Sequence, residues 1–552
     1  MVRRPEAAIR APVIGASELT VIIPTRDRWP ILARTLRALE SQTVGGFHTT
    51  VVVDGSDQLP PLLPGWVRVL VKEASGPGSS RNAGVRDSDT RLVLFLGDDM
   101  VPTPGLVASH LARHARHSDP EVAVLGHVEW HPEVGDSPLL RWLDRSASQF
   151  DYASITGEDA GWGRFYSCNV SLDRDFFLSS GGFDPEFTFD YEDLDLAWRL
   201  HMKGLRLMYE PGAVALHLHR YDWAGLERRY RSRGMAERLM VQKHDWFEPF
   251  FGRRLQGAAS QRPVSVVWPV AAELMAGRGG ALSRQAEKHA DRWYHRRLVG
   301  HYLAGWEGQR DLEELRAYLG DAFDPQRLSG HRSLVDEEEA AASSESHFYR
   351  TSESYLYDLT VFSMSGTKAP YVLDLRRHVP CGATLVDYGC GIGADGLRLL
   401  ELGYKVAFAD FNNPSTAFLR WRLQHRGLRA EVYDLDEEVP GGFDGAYAFD
   451  VIEHVQDPFE FLSQLESRAT VVAVNFLEPE PGDTHLHKPL PIPELLDHAA
   501  EQGILRYRIY HQRSHLVVYR GSRPAARVGR TRGAIERRWG PGLAELSRRL
   551  RV

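Results

Sequence analysis

The sequence has few cysteines and no long apolar run, and each shortage excludes a class of protein. Its 552 residues include 3 cysteines, in unrelated contexts and without a Cys-x-x-Cys pair. A disulfide framework and a structural zinc site are therefore not expected. No stretch approaches the roughly 20 apolar residues that span a bilayer, and residues 1–11 lack the apolar core of a secretory signal. We expect a cytoplasmic protein.

An excess of positive charge is missing as well. The formal net charge is -8, which argues against attraction of the whole protein to nucleic acid, and no nucleic-acid partner is expected. The exception is the segment 521–552, which is rich in arginine. There Leu543, Leu546 and Leu550 share one helical face. Peripheral contact with an anionic membrane surface is one interpretation of this tail, and a solvated terminus is the other.

The chain divides into segments of different pattern. From Leu19 to about His219, short apolar runs alternate with amphipathic stretches, which predicts an α/β fold with a mainly parallel sheet. A helix-forming region and then a second α/β alternation follow. The predicted segments are an α/β domain at 15–222, a helical connector at 223–335, a linker at 336–346, a second α/β domain at 347–520 and a basic tail at 521–552. For the linker, an exposed helix is the alternative.

Carboxylates follow the apolar strands of the first α/β domain. Asp54 ends one such run, and Asp98-Asp99 ends another, at the sheet edge where open α/β folds bind ligands. Divalent cations prefer carboxylate oxygens and neutralise a departing diphosphate, although Gly-Asp-Asp is also common in turns. Further on, Glu192-Asp193 opens a helix, where the pair is either a partner of the helix dipole or contains a general base.

The order of these motifs over residues 19–220 resembles the family 2 inverting glycosyltransferases of the GT-A fold. The resemblance implies a UDP- or dTDP-sugar donor, a divalent metal (Mn²⁺ or Mg²⁺) and a single displacement with inversion. The family typically has Asp-x-Asp where this chain has Gly97 first, so Asp98 and Asp99 must carry those contacts. The implied site has Pro24, Thr25, Asp27, Asp54, Arg81 and Asp98 around the nucleotide-sugar, Asp99 and His217 on the metal, and Asp193 as base with Glu192 as second candidate. For His217 a structural role stays open, and His219 lies on the same strand face.

A glycine-rich turn marks the second α/β domain. The strand Thr384–Val386 runs into Asp387-Tyr388-Gly389-Cys390-Gly391-Ile392-Gly393. Glycines let a backbone approach a ligand closely, and an acidic residue roughly 20 positions on binds ribose hydroxyls. Asp410 fits that position. The alternating glycines do not match G-x-G-x-x-G, and no Gly-Lys-Ser/Thr follows, so a dinucleotide site and a P-loop are disfavoured.

Over residues 347–520 the pattern resembles class I S-adenosylmethionine-dependent methyltransferases, with a Rossmann-like fold. The resemblance implies an S-adenosylmethionine site formed by Asp387, Gly389, Gly391, Gly393, Asp410, Asp434, Leu435, Phe449 and Asp450. His485 and His487 are candidate bases, because histidine titrates near neutral pH, while His454 often belongs to the family's structural signature. Proximity alone is the alternative to a base. Tyr349 and Tyr355 either cover the cofactor or pack.

The combined prediction is a bifunctional enzyme. It glycosylates a carbohydrate, glycolipid or natural-product acceptor and methylates the product or the acceptor. In the alternative, the second domain is a methyltransferase-like binding or scaffolding module. A nucleotidyltransferase is disfavoured because Pro24–Asp27 is not a glycine-rich loop. Connector aromatics form either a sugar-stacking platform or, as we favour, packing; they are Trp268, Trp293, Tyr294, Tyr302 and Trp306.

Overall fold

The computed structural model describes residues 14–56, 62–259, 265–276, 280–480 and 486–521. The chain forms two compact units, Met1–Tyr302 and Leu303–Val552. The boundary between them falls within the predicted connector 223–335, so the five predicted segments remain a prediction. Among the described residues, no helix combines the length and the apolar character that crossing a membrane requires. His485 lies outside the described residues, and so does the arginine-rich tail after Gly521.

A mixed eight-stranded sheet forms the centre of the first unit. Its strands are β1 (Leu19–Thr25), β2 (His48–Asp54), β3 (Val67–Lys72), β4 (Leu92–Leu96), β5 (Met100–Pro102), β6 (Val122–Trp130), β7 (Asn169–Asp173) and β8 (Arg206–His217). Their order is β3-β2-β1-β4-β7-β6-β8-β5. The first four are parallel, while β7 runs antiparallel to β4 and β6. Every residue of β4 is buried, as a continuous apolar run requires in the middle of such a sheet.

Helices cover both faces of this sheet. They are α1 (Trp29–Glu40), α2 (Pro77–Asp87), α3 (Leu106–Arg116), α4 (Pro138–Arg145), α5 (Arg174–Ser179), α6 (Glu192–His201), α7 (Trp223–Lys243), α8 (Phe250–Ala259), α9 (Val267–Leu274) and the start of α10 (Ala281–Leu319). Alternate residues of β1 enter opposite cores: Val21 packs with Leu36 of α1, and Ile22 with Val85 of α2. The two-residue period of a strand thus builds a three-layer α/β sandwich.

The second unit contains a seven-stranded sheet. Its strands are β9 (Thr384–Tyr388), β10 (Lys405–Asp410), β11 (Val432–Asp434), β12 (Phe443–Ala448), β13 (Ala469–Leu477), β14 (Ile504–Tyr510) and β15 (Ser514–Arg520). The order is β11-β10-β9-β12-β13-β15-β14, with β15 antiparallel to both neighbours. The strand order reverses between β9 and β12. In open α/β sheets, ligands bind at such a switch point.

One helix of the second unit extends into the predicted linker, for which an exposed helix was the alternative. After the end of α10 the helices of this unit are α11 (Pro325–Ser329), α12 (His331–Ala341), α13 (Glu345–Thr351), α14 (Ser354–Ser365), α15 (Ala369–Leu375), α16 (Ala394–Glu401), α17 (Pro414–His425), α18 (Pro458–Arg468) and α19 (Ile492–Gln502). Residues 336–341, which fall within the predicted linker 336–346, are the second half of α12. The reason is local anchoring: Ser352 and Ser354 each donate a 2.6 Å hydrogen bond to the Glu338 carboxylate.

The connector aromatics mainly pack. Tyr294 and Tyr302 are buried, and the Tyr302 hydroxyl donates a 2.6 Å hydrogen bond to Glu237. The ring of Trp293 lies edge-on to that of Trp223. Such burial leaves little aromatic face for a sugar, which favours the packing interpretation.

Candidate active sites

A cleft of about 1350 Å³ opens at the carboxyl ends of β1, β2 and β4 in the first unit. It brings together most residues that the sequence assigned to sugar transfer. Lining the cleft are Pro24, Thr25, Asp54, Arg81, Asp98, Asp99, Glu192, Asp193 and His217. Asp27 is not among the lining residues; it is exposed in the turn after β1 and accepts a hydrogen bond from the Ser56 hydroxyl. The predicted nucleotide-sugar contact of Asp27 therefore remains a prediction.

Asp98 and Asp99 share one guanidinium, that of Arg28. Its Nη2 lies 3.0 Å from Asp98 Oδ1 and 2.5 Å from Asp99 Oδ2. Thr25 Oγ1 donates a further 2.8 Å hydrogen bond to Asp98. Burial and the adjacent Asp99 charge raise the pKa of Asp98 to about 6. Arg28 was not predicted, although the run 25–28 was noted, because its position opposite β4 depends on the pairing of β1 with β4.

His217 and His219 converge on Asp99. His217 Nε2 and His219 Nδ1 each lie 3.3 Å from Asp99 Oδ2. Burial alone would raise the pKa of Asp99, but the nearby imidazoles and Arg28 outweigh it and hold that pKa well below its ordinary value. His217 is buried and stacks on Trp130 at 5.1 Å, and its Nδ1 finds no hydrogen-bond partner among the described residues. One carboxylate and two imidazoles that converge in this way fit a divalent cation.

The glycine at position 97 has a steric explanation. A Cβ atom added there would lie 3.0 Å from Asp99 Oδ1 and 3.1 Å from Met100 Cγ. An aspartate at this position would press against the carboxylate that faces the two histidines. Gly97 therefore leaves room for Asp99 in the orientation observed.

Glu192 and Asp193 are the first two residues of α6 and line the cleft, but their surroundings differ. Glu192 lies 3.6 Å from Arg81, and burial together with Asp193 raises its pKa to about 8. Asp193 Oδ2 accepts a 3.0 Å hydrogen bond from the Ser167 amide, while Oδ1 has no partner within the described part of the chain. Burial also raises the pKa of Asp193, against the opposing charge of Arg81. Of the two, Asp193 has a buried carboxylate oxygen without a hydrogen-bond partner among the described residues, and it is the better candidate for the base.

Asp54 shapes the cleft through the backbone. Its oxygens accept 2.9 Å hydrogen bonds from the amides of Ser75 and Gly76, and Lys72 Nζ lies 3.3 Å away. This fixes the loop that precedes α2. Two arginines that the sequence did not assign, Arg229 and Arg233 on α7, also line this cleft. The signal for them was the arginine-rich start of the connector.

In the second unit a cavity of about 570 Å³ lies at the switch point between β9 and β12. The predicted cofactor residues that line it are Asp387, Gly389, Gly391, Asp410, Leu435, Phe449 and Asp450. Two others are not among the lining residues. Gly393 (φ 70°) is a packing position, since a Cβ there would lie 2.4 Å from Leu419 Cδ1. Asp434 accepts a 3.1 Å hydrogen bond from the Asp436 amide.

Asp410 holds the glycine-rich turn in place. Its carboxylate accepts a 2.6 Å hydrogen bond from the Gly391 amide and a 2.7 Å bond from the Phe411 amide. Burial raises the pKa of Asp410 to about 6, although these amides act against the rise. At Gly389 (φ 72°) an added Cβ would lie 2.8 Å from Val451, so the turn needs glycine there.

The candidate histidines of the second unit differ in their position relative to the cavity. His454 lines the cavity, and its Nδ1 lies 2.8 Å from the Tyr349 hydroxyl. Burial lowers the pKa of His454 to about 3. His487 is not among the lining residues, and its ring centroid lies 5.0 Å from that of His454. Tyr349 and Tyr355 both line the cavity. The candidate base His485 lies outside the described residues.

Comparisons with known proteins agree with the two resemblances. Residues 20–167 match the family model "Glycosyl transferase family 2", and residues 386–470 match "Methyltransferase domain". A validoxylamine A glucosyltransferase of Streptomyces hygroscopicus subsp. limoneus is 33% identical over 35% of this chain and 51% of its own length. A pre-mycofactocin glycosyltransferase of Mycobacterium tuberculosis is 31% identical over 42% of this chain and 49% of its own. The chain thus spans about half the length of these curated relatives.

A solved methyltransferase structure is also similar to part of this chain. A Burkholderia thailandensis 1,6-didemethyltoxoflavin-N1-methyltransferase with bound S-adenosylhomocysteine is 20% identical, with a TM-score of 0.27. The alignment covers 31% of this chain and 84% of that one. Both units are α/β folds, and each contains one of the two clefts. More particularly, the chain carries a family 2 glycosyltransferase domain followed by a methyltransferase domain, as the sequence predicted.

Proposed function

We propose that this chain is a bifunctional enzyme that transfers a sugar with inversion from a UDP- or dTDP-sugar and methylates the product or the acceptor with S-adenosylmethionine. The observation that carries the proposal is one chain with two differently equipped clefts. One has an Asp–His–His cluster and a basic carboxylate oxygen. The other has a glycine-rich turn whose Gly391 amide is hydrogen-bonded to Asp410, the candidate ribose-binding aspartate. The five segments predicted from the sequence are proposed as its domains.

In sugar transfer, Asp193 acts as the general base. Its Oδ1 removes the proton from an acceptor hydroxyl, whose oxygen bonds to the anomeric carbon as the bond to the diphosphate breaks. Attack opposite the leaving group inverts that carbon. Asp99, His217 and His219 would hold the divalent cation, which supplies positive charge to the diphosphate. A mixed carboxylate–imidazole set suits Mn²⁺ better than Mg²⁺, which prefers oxygen ligands and retained waters.

In methyl transfer, the second cavity orients the two reactants. The Gly389–Gly391 backbone would approach the amino-acid part of S-adenosylmethionine, Asp410 would bind the ribose, and Leu435 would lie beside the adenine. S-adenosylmethionine would supply the methyl group: the acceptor atom would bond to the methyl carbon as the carbon–sulfur bond breaks, and the acceptor proton and S-adenosylhomocysteine would leave. Because the sulfonium is already a strong electrophile, close alignment supplies much of the acceleration.

The relatives support a natural-product acceptor. By their printed names, one is a glucosyltransferase for validoxylamine A and the other a glycosyltransferase for pre-mycofactocin. Placing the second active site on the same chain raises the effective concentration of the glycosylated intermediate at that site.

The test is a screen of nucleotide sugars for hydrolysis and transfer by the full chain, with and without Mn²⁺, followed by labelled S-adenosylmethionine. We expect metal-dependent turnover of a UDP- or dTDP-sugar and transfer of label to the same product. Calorimetry with S-adenosylmethionine distinguishes this proposal from the alternative, in which the second domain is a scaffolding module. Absence of binding at high cofactor concentration would contradict the two-enzyme proposal and leave a glycosyltransferase with a non-catalytic second domain.

A further inference from the structure

A carboxyl group in the second unit is buried without a hydrogen-bond partner among the described residues. Glu453 is 1% exposed, and neither Oε1 nor Oε2 has a hydrogen-bond partner in the described part of the chain. Burying a carboxyl group without hydrogen bonds is unfavourable, because its oxygens lose their contacts with water. The position therefore calls for a ligand that satisfies these oxygens.

Two imidazoles point to the nature of that ligand. One carboxylate oxygen of Glu453 and one ring nitrogen each of His454 and His487 lie within 4.8 Å of one another. We propose that Glu453, His454 and His487 bind a divalent transition-metal ion, with Zn²⁺ as the best match. Two histidines and one glutamate form a ligand set of catalytic zinc sites, in which a fourth position stays open for water or substrate.

The surrounding contacts hold the three side chains together before a metal arrives. Glu453 and His454 lie in the short 3-10 turn Ile452–His454 after β12. The loop carrying His487 is tied to this turn by its neighbour Lys488, whose amide donates to the Glu453 carbonyl at 2.8 Å. Lys488 Nζ donates to the His454 carbonyl at 2.9 Å. The Tyr349 hydroxyl, 2.8 Å from His454 Nδ1, orients that ring, as outer partners do for metal-binding histidines.

The place of the cluster suggests its role. His454 lines the cavity that also contains Gly389 and Phe449, so the metal would lie at the cavity wall. Its open position would bind an acceptor hydroxyl and make the loss of the hydroxyl proton easier. This identifies the methylated group as a hydroxyl oxygen. That part rests on the proposed methyl transfer, whereas metal binding does not.

The test must separate this site from the Asp99 cluster in the first unit. We would strip the full chain with EDTA and titrate it with Zn²⁺ by calorimetry, using Co²⁺ as a coloured probe. In an Asp99→Ala background, one equivalent of metal should still bind. Adding His487→Ala or Glu453→Gln should weaken that binding at least about tenfold, the lower end of what losing even an outer partner of a metal site costs. His425→Ala, which removes an exposed imidazole stacked on Trp421 at 4.5 Å, is the matched control.

The outcomes are separable. Unchanged Zn²⁺ affinity in Asp99→Ala/His487→Ala overturns the proposal, as does an Asp99→Ala protein that binds no metal. If His487→Ala unfolds, which circular dichroism detects, His487→Gln replaces it with a side chain of similar size. S-adenosylmethionine affinity is measured on the same samples. Cofactor binding without metal binding refutes the metal site alone, and metal binding without cofactor binding refutes the methyltransferase proposal alone.

Discussion

Replacing Asp193 by asparagine tests the proposed sugar transfer most directly. Asparagine has nearly the same shape, and its side-chain oxygen can keep the 3.0 Å hydrogen bond from the Ser167 amide. What disappears is the basic Oδ1, which has no partner among the residues described. The substitution therefore removes proton acceptance while the start of α6 stays in place.

The expected loss of rate follows from the absence of a substitute base. General-base catalysis typically contributes about 10²–10⁴-fold, or about 2.7–5.4 kcal/mol at 1.36 kcal/mol per factor of ten. Glu192 cannot take over readily, since it faces Arg81 at 3.6 Å and its burial, the larger cause of its raised pKa, remains in the variant. We therefore expect kcat to fall by at least about 10³-fold, toward the upper part of that range.

The assay is the initial rate of sugar transfer from a labelled nucleotide sugar, with donor affinity measured by calorimetry. Donor affinity should change little, because the proposed base acts on the acceptor and not on the donor. Asp175→Asn is the matched control, since its side chain is 88% exposed in the same unit. A rate within threefold of the wild type would refute the base assignment. An equal loss of methyl transfer would contradict two independent sites.

Other consequences of the two clefts are equally testable. Because burial raises the pKa of Asp193, the acid limb of the kcat/KM profile for sugar transfer should lie above the ordinary aspartate value of about 3.9, with activity rising as pH rises through it; a limb at the ordinary value contradicts this. His217→Ala should raise the Mn²⁺ concentration for half-maximal rate at least about tenfold, since a metal ligand is lost; an unchanged metal titration removes His217 from the site. Asp410→Ala should weaken S-adenosylmethionine binding in calorimetry, and unchanged affinity counts against the ribose assignment. Gly393→Ala should lower the Tm of the second unit more than Gly403→Ala, because both have positive φ but a Cβ at Gly403 meets no described atom within 4 Å; equal shifts would show that the clash is relieved.

The features predictable from the sequence are those determined by neighbouring residues. A continuous apolar run such as Leu92–Leu96 is enough to indicate a central strand, and the structure has β4 there. The alternating glycines of the second domain indicate a close backbone approach. Gly389 and Gly391 have positive φ and line the cavity. Acidic pairs after strands likewise indicate the edge of the sheet at which the first cleft opens.

The features that escaped prediction depend on contacts between distant parts of the chain. Arg28 pairs with Asp98 and Asp99 only because β1 lies beside β4, a pairing that no local pattern specifies. Glu453 stands within the run 449–455 that supported the methyltransferase resemblance, yet nothing in that run shows its complete burial. Asp54 was predicted to bind the nucleoside, and the structure adds that its oxygens accept the Ser75 and Gly76 amides.

Both clefts carry buried carboxyl groups that disfavour negative charge, and each cleft has at least one proposed ligand that carries positive charge. Burial raises the pKa of Asp98 to about 6 and that of Asp387 to about 8. Such groups keep their protons in the folded chain above the pH, about 4, at which an unfolded aspartate ionises. Stability is therefore lost as pH rises from there through the raised pKa. A divalent cation beside Asp98, or a sulfonium and ammonium beside Asp387, reverses the balance by favouring the ionised carboxylate. Ligand binding should then release protons and restore stability at neutral pH, so the same burial that destabilises the unliganded chain couples each site to a cationic ligand.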